Sequence, residues 1–113
     1  MKIDAVIARQ NVDDLEGAIP FYERLTGRKA ERFAFAGVHL ASVGPFLLFS
    51  GPEEAVRRVA AVSATLTVDD VAAAVAEATA AGATVVAPPQ PTPNGHRALL
   101  RHPHGGVYEY VGP

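Results

Sequence analysis

The sequence predicts an α+β protein built from two βαβββ copies, and two observations carry that prediction. Val12-Asp13-Asp14-Leu15 recurs 56 residues later as Val68-Asp69-Asp70-Val71, and at the same offset Ala18 meets Ala74 and Ile19 meets Val75. Further on, Phe46-Leu47-Leu48-Phe49-Ser50-Gly51-Pro52 lies over Val107-Tyr108-Glu109-Tyr110-Val111-Gly112-Pro113 at an offset of 61, so Gly-Pro closes both halves. A period this long holds a whole supersecondary unit rather than one turn of a solenoid. Module 1 is expected at about 1–52, a linker at about 53–60 and module 2 at about 61–113.

Each element has a local reason. Residues 3–10 are β-branched and alternating, as a strand requires. Asp13 or Asp14 can cap a helix whose apolar stripe is Leu15, Ala18, Ile19, Tyr22 and Leu25, ended by Gly27 in a left-handed conformation. Pro20 removes an interior hydrogen bond, which predicts a kink or a helix start delayed past Gly17. Short strands follow near 30–36, 37–43 and 46–50, with turns at Gly37 and Gly44-Pro45. Glu53-Glu54 and Arg57-Arg58 read as a solvated hinge. The second copy predicts strand 62–68, helix 70–81 capped by Asp70 and ended by Gly82, and strands 83–87, 96–102 and 106–111. The proline-rich segment 88–95 is expected to be stiff, extended and outside the sheet.

Composition narrows the function classes. The chain has 113 residues, 49% hydrophobic and 19% charged, enough for one folded core. A net charge of −2 with no basic stripe argues against nucleic acid as a partner. The absence of cysteine removes thiolate nucleophiles and Cys-ligated metal sites. No apolar run is long enough for a membrane helix, and Asp4 interrupts any leader-like start, so the expected location is cytoplasmic. No nucleophile elbow, phosphate loop or dinucleotide fingerprint is present. The four aspartates at 13, 14, 69 and 70 are explained by helix capping rather than by a metal.

Paired βαβββ copies with Val12-Asp13-Asp14-Leu15, Ala18-Ile19-Pro20-Phe21-Tyr22-Glu23 and Leu25-Thr26-Gly27 in the first, and Arg101-His102-Pro103-His104-Gly105-Gly106-Val107-Tyr108-Glu109-Tyr110-Val111 at the end, resemble the vicinal oxygen chelate superfamily. That superfamily includes glyoxalase I, bleomycin-resistance proteins and extradiol dioxygenases. The resemblance covers essentially the whole chain. It implies a glyoxalase-like open barrel with helices outside, and a homodimer. It also implies four metal-ligand positions, two per copy, which fall here on Ile7, Ser63, Leu48 and Glu109. Only Glu109 is a good ligand for a divalent ion, so no metal and no cofactor are expected.

The other polar candidates follow from strand parity. Ala5, Arg9, Thr65, Thr67, Phe46, Leu48, Val107 and Glu109 are expected on the concave face with Ile7 and Ser63. Arg9 either holds a ligand anion or pairs with Glu109. A tight turn at Gly44-Pro45 pairs Val43 with Phe46 and Ala41 with Leu48, which would turn His39 inward with Leu48. The same register in the second copy sets His102 opposite Glu109, a candidate catalytic dyad. His102-Pro103-His104-Gly105 reads equally as a plain turn, and His102, His104 and Glu109 form a further candidate metal set.

The expected function is therefore that of a bleomycin-resistance-like protein binding a small organic molecule in the concave pocket without a metal. The expected ligand-binding residues are Arg9, His39, Phe46, Leu48, Ser63, Thr65 and Glu109. The alternative is a metal-dependent or acid–base lyase, isomerase or dioxygenase of the glyoxalase kind, with Glu109 and His102 as the catalytic candidates.

Overall fold

The computed structural model describes residues 1–113. Its elements run β1 (Ile3–Asn11), α1 (Leu15–Thr26), β2 (Glu31–Phe35), β3 (Val38–Val43), β4 (Phe46–Ser50), α2 (Glu53–Ala60), β5 (Ala64–Val68), α3 (Val71–Ala80), β6 (Thr84–Thr92), β7 (Gly95–Arg101) and β8 (Val107–Gly112). The two βαβββ copies are therefore present. The chain divides into two compact units, Ile7–Ala61 and Val62–Pro113, the latter joined by Met1–Val6.

In the Ile7–Ala61 unit the strand order is β2-β3-β4-β1, with β1 parallel to β4 and the other pairs antiparallel. Asp14 starts α1 by accepting the Gly17 amide at 3.1 Å, and Gly27 ends it with φ 70°. Leu15 and Ile19 of α1 bury against Ala41, Val43 and Leu48. Alternation along the strands sends Val38, Leu40 and Phe49 to the opposite face, where Val56 of α2 closes a second cluster. β4 is thus covered on both sides, which is why Phe46-Leu47-Leu48-Phe49 is apolar throughout.

In the other unit the order is β5-β8-β7-β6, with β5 parallel to β8. Asp70 caps α3 through the Ala73 amide at 3.0 Å. α3 packs Val71, Ala74 and Ala78 onto Leu66, Val68, Ala98, Leu100 and Tyr110. No helix of this unit lies on the other face of its sheet. The N-terminal residues are fastened to the unit by a Met1 ammonium–Glu77 ion pair and by the Lys2 amide on Asp69 Oδ1 at 3.1 Å. No helix is long and apolar enough to cross a membrane.

Three local expectations are corrected. α1 begins at Leu15 and runs through Pro20, with no delayed start. Pro20 and Glu16 are both exposed, so water can satisfy the Glu16 carbonyl that a proline nitrogen leaves unbonded. Residues 53–60 are not a solvated hinge but helix α2, with Val56 only 7% exposed. Glu53-Glu54 in its first turn and Arg57-Arg58 in its last complement the helix dipole. Finally, the prolines do not keep 88–92 out of the sheet, since β6 runs to Thr92 with register shifts between Val85 and Gln90. β6 is an edge strand, where a residue without an N–H loses nothing on its outer side.

Candidate functional site

The polar cluster that survives folding sits on the helix-free face of the Val62–Pro113 unit. β5 and β8 pair in register Thr65↔Glu109, and β7 and β8 in register Leu99↔Glu109, Arg97↔Val111 and Arg101↔Val107. Paired residues share a face, so Ser63, Thr65, Arg97, Leu99, Arg101, Val107, Glu109 and Val111 point one way. Leu66, Leu100, Tyr108 and Tyr110 point the other, toward α3. Thr65, 4% exposed, donates its hydroxyl to Glu109 Oε1 at 2.7 Å. Arg97 donates from Nε to Glu109 Oε2. The Glu109 side chain is 14% exposed and that of Arg97 36%. A carboxylate this far out of water needs such partners, and here it has an ion pair and a hydroxyl.

Glu109, Thr65 and Ser63 thus lie where parity predicts them, and Arg97 is the residue that sequence reading misses. The miss has a definite cause. The β7–β8 connection spans residues 102–106, closed by the His102 amide on the Gly106 carbonyl at 3.0 Å and the Gly105 amide on the His102 carbonyl at 3.1 Å. The expected register with His102 opposite Glu109 is displaced by an odd number of residues, which moves His102 to the other face. The paired glycines 105 and 106, at φ 114° and 85°, are the sequence signal for the longer turn.

The His102–Glu109 dyad is accordingly absent. His102 instead places Nε2 2.8 Å from the Tyr110 hydroxyl and stacks on Tyr108 with centroids 4.0 Å apart. Burial holds its imidazole below the ordinary histidine range, and burial followed by the neighbouring Tyr108 pushes the Tyr110 hydroxyl up. His104 joins no group of three or more histidine, cysteine or acidic side chains able to hold a metal, and no such group exists.

Three residues of the Ile7–Ala61 unit also change place. The offset of 61 sets Leu48 over Glu109, but β1 pairs Arg9 with Leu47 where β5 pairs Thr65 with Glu109. Leu47, not Leu48, is the structural counterpart of Glu109. Leu48 is fully buried beneath α1, and Phe46 packs against the same cluster, touching Tyr22 at 5.0 Å between ring centroids. Val43↔Phe46 and Ala41↔Leu48 pair as expected, but their shared face is the one that α1 covers. His39 lies on that face too, in a cleft of about 430 Å³ with Asp13, Asp14, Glu16 and Arg32. The second copy has a matching cleft of about 470 Å³ with Asp69, Asp70 and His96. Arg9 lies on the α2 side, donating from Nη2 to the Val59 carbonyl at 3.1 Å.

The metal-ligand positions that the resemblance implies fall, by this register, on Ile7 and Leu47 in one copy and on Ser63 and Glu109 in the other. These residues do not fit a divalent ion. Two are hydrocarbon, one is a neutral hydroxyl, and the single carboxylate already carries an arginine cation on one oxygen.

Residues 5–111 match the model of the glyoxalase-like domain. An uncharacterized protein from Methanosarcina mazei has a solved structure that is 36% identical, with a TM-score of 0.90 over 99% of this chain and 94% of that one. Methylmalonyl-CoA epimerase from Streptomyces coelicolor is 22% identical with a TM-score of 0.68, over 99% and 94% of the two chains. The epimerase from Mycobacterium tuberculosis is 17% identical with a TM-score of 0.68, over 98% and 89%. At those identities the epimerases share the fold. No protein of curated function matches. With both βαβββ copies in place and nearly the full length matched, the chain belongs to the glyoxalase-like domain family of the vicinal oxygen chelate superfamily.

Proposed function

We propose that this protein binds a small organic molecule on the helix-free face of the β5-β8-β7 sheet, without a metal. The observation that carries the reading is the Thr65–Glu109–Arg97 cluster set among Leu99, Val107 and Val111. Ligand sites commonly combine such apolar walls with a few fixed polar anchors. The acid–base alternative loses its imidazole, because His102 is on the α3 face bonded to Tyr110. The metal-dependent alternative loses its ligands at Ile7 and Leu47. We also read the chain as a homodimer, supported by exposed Phe21 and Leu25 on α1 and Phe33 and Phe35 on β2.

The test is a thermal-shift screen of metabolites and drugs, with hits located by amide chemical-shift changes. A ligand present at ~100 times its Kd stabilises the folded state by about 2.7 kcal/mol, a readable shift. Shifts should gather at Thr65, Leu99, Val107 and Glu109. Hits confined to the clefts at His39 or His96, or hits that need an added divalent ion, overturn the reading.

A further inference from the structure

Building on the small-molecule reading, we infer that this face takes an organic anion, with the ligand's carboxylate seated on the outer edge of Arg97. Three observations converge on this. Arg97 reaches Glu109 through Nε alone, and its terminal nitrogens Nη1 and Nη2 meet no acceptor in the chain. Those two nitrogens form an N–H edge that matches a carboxylate or phosphate, on a side chain 36% exposed.

The second observation is the charge of the face. β7 presents Arg97, Leu99 and Arg101 in alternation, while β5 and the residue before it offer only Thr65, Thr67 and Ser63 there and β8 offers Val107, Glu109 and Val111. β6, Thr84–Thr92, has no charged residue at all. Two cations stand against one carboxylate, so the strands of this face carry a net positive charge, on a protein whose overall charge is −2. The third observation is support. Glu109 holds Arg97, and Thr65 holds Glu109, so the guanidinium is fixed before any ligand arrives. Leu99, between the two arginines, supplies apolar contact for the body of the ligand.

Charge alone could also place a ligand's cation on Glu109. Thr65 and Arg97 occupy both of its oxygens, however, and Arg97 would repel such a group. A bound carboxylate touches the guanidinium directly and lies farther from Glu109, so attraction exceeds repulsion.

Phenylacetate against phenylacetamide, and hexanoate against hexanamide, separate the anion from the apolar body. The readout is titration by amide chemical shifts at low salt. Each acid should bind at least ~10-fold more tightly than its amide, the factor expected of a charge-assisted contact. Arg97→Gln should erase that preference. Arg97→Lys, which keeps the charge without the planar edge, should leave part of it and covers the case in which the glutamine variant fails to fold. Glu109→Gln, whose amide oxygen can still accept from Arg97 Nε while the nearest negative charge is gone, should raise acid affinity severalfold, whereas a site built around the Glu109 carboxylate as acceptor would lose its ligand. Equal binding of acid and amide at this face overturns the anion inference while leaving the small-molecule reading standing. Binding of neither, or an acid preference that survives Arg97→Gln, overturns the inference as well.

Discussion

Replacing Leu48 and Leu47 by alanine, one at a time, tests the register on which the site rests. The two are neighbours with the same side chain, and only the facing of β4 distinguishes them. Leu48 is fully buried between α1 and the sheet, in contact with the cluster of Leu15, Ile19, Ala41 and Val43. Truncation there leaves a cavity that a helix pinned by the Asp14 cap and its left-handed Gly27 end is poorly able to fill. The expected loss is about 3 kcal/mol, within the 2–5 kcal/mol of buried leucine truncations. For a domain of this size that lowers Tm by roughly 10–20 °C. Leu47 is only partly buried, at the margin of the α2 cluster, and truncation there should remove no more than about 1–2 kcal/mol. Urea unfolding at constant m-value gives both numbers. Equal losses, or a larger loss at Leu47, would refute the register and with it the placement of Leu47 as the counterpart of Glu109.

Two further outcomes are expected. The His102 imidazole has its pKa lowered by burial, so the folded state binds its proton less readily than the unfolded chain does. Stability should be full above the ordinary histidine pKa of about 6.5 and fall as pH drops below it, and His102→Phe should flatten that part of the profile. A wild-type curve already flat between pH 7 and pH 5 would count against the buried imidazole. Sedimentation equilibrium should give twice the 11.8 kDa chain mass, and a single-chain mass at tens of micromolar would remove the dimer.

Much of this fold was legible because the chain states it twice. The Asp14 and Asp70 caps, Leu15, Ala18, Ile19 and Tyr22 of the α1 stripe and the strand pairs of β3 and β4 all follow from local spacing and the repeat, whereas Leu25 of that stripe is exposed. The failures share one origin, in that parity within a strand is easily read but register between strands depends on turn length. A five-residue turn taken as shorter moved His102 across the sheet, and one extra residue between β4 and Gly51-Pro52 exchanged Leu47 for Leu48. Both errors are odd-numbered, and an odd slip reverses a side chain completely. Two signals could have prevented them. A strand apolar on both faces, as β4 is, implies cover on both sides and hence a second helix such as α2. Acids before bases in 53–58 match a helix dipole better than a hinge. Arg97 had no local signal of its own, because its importance comes only from lying diagonal to Glu109.

The two copies fill the same sheet positions with different side chains. At matched positions, Arg9 stands where the second copy has Thr65, Leu47 where it has Glu109, and Ser42 where it has Leu99. In the first copy Arg9 donates to the last turn of α2, and Leu47 lies against the cluster that α2 closes. Covering that face with a helix gives hydrophobic burial to a small sheet and removes it from solvent, where a ligand would have to arrive. In the second copy no helix of the unit covers the matching face, and its one carboxylate, partly buried, is bonded to a threonine and an arginine. An ion pair placed there does what a chelated metal cannot. Under the proposed reading it leaves the terminal N–H donors of Arg97 for a ligand, and so favours recognition of an anion over activation of a coordinated oxygen.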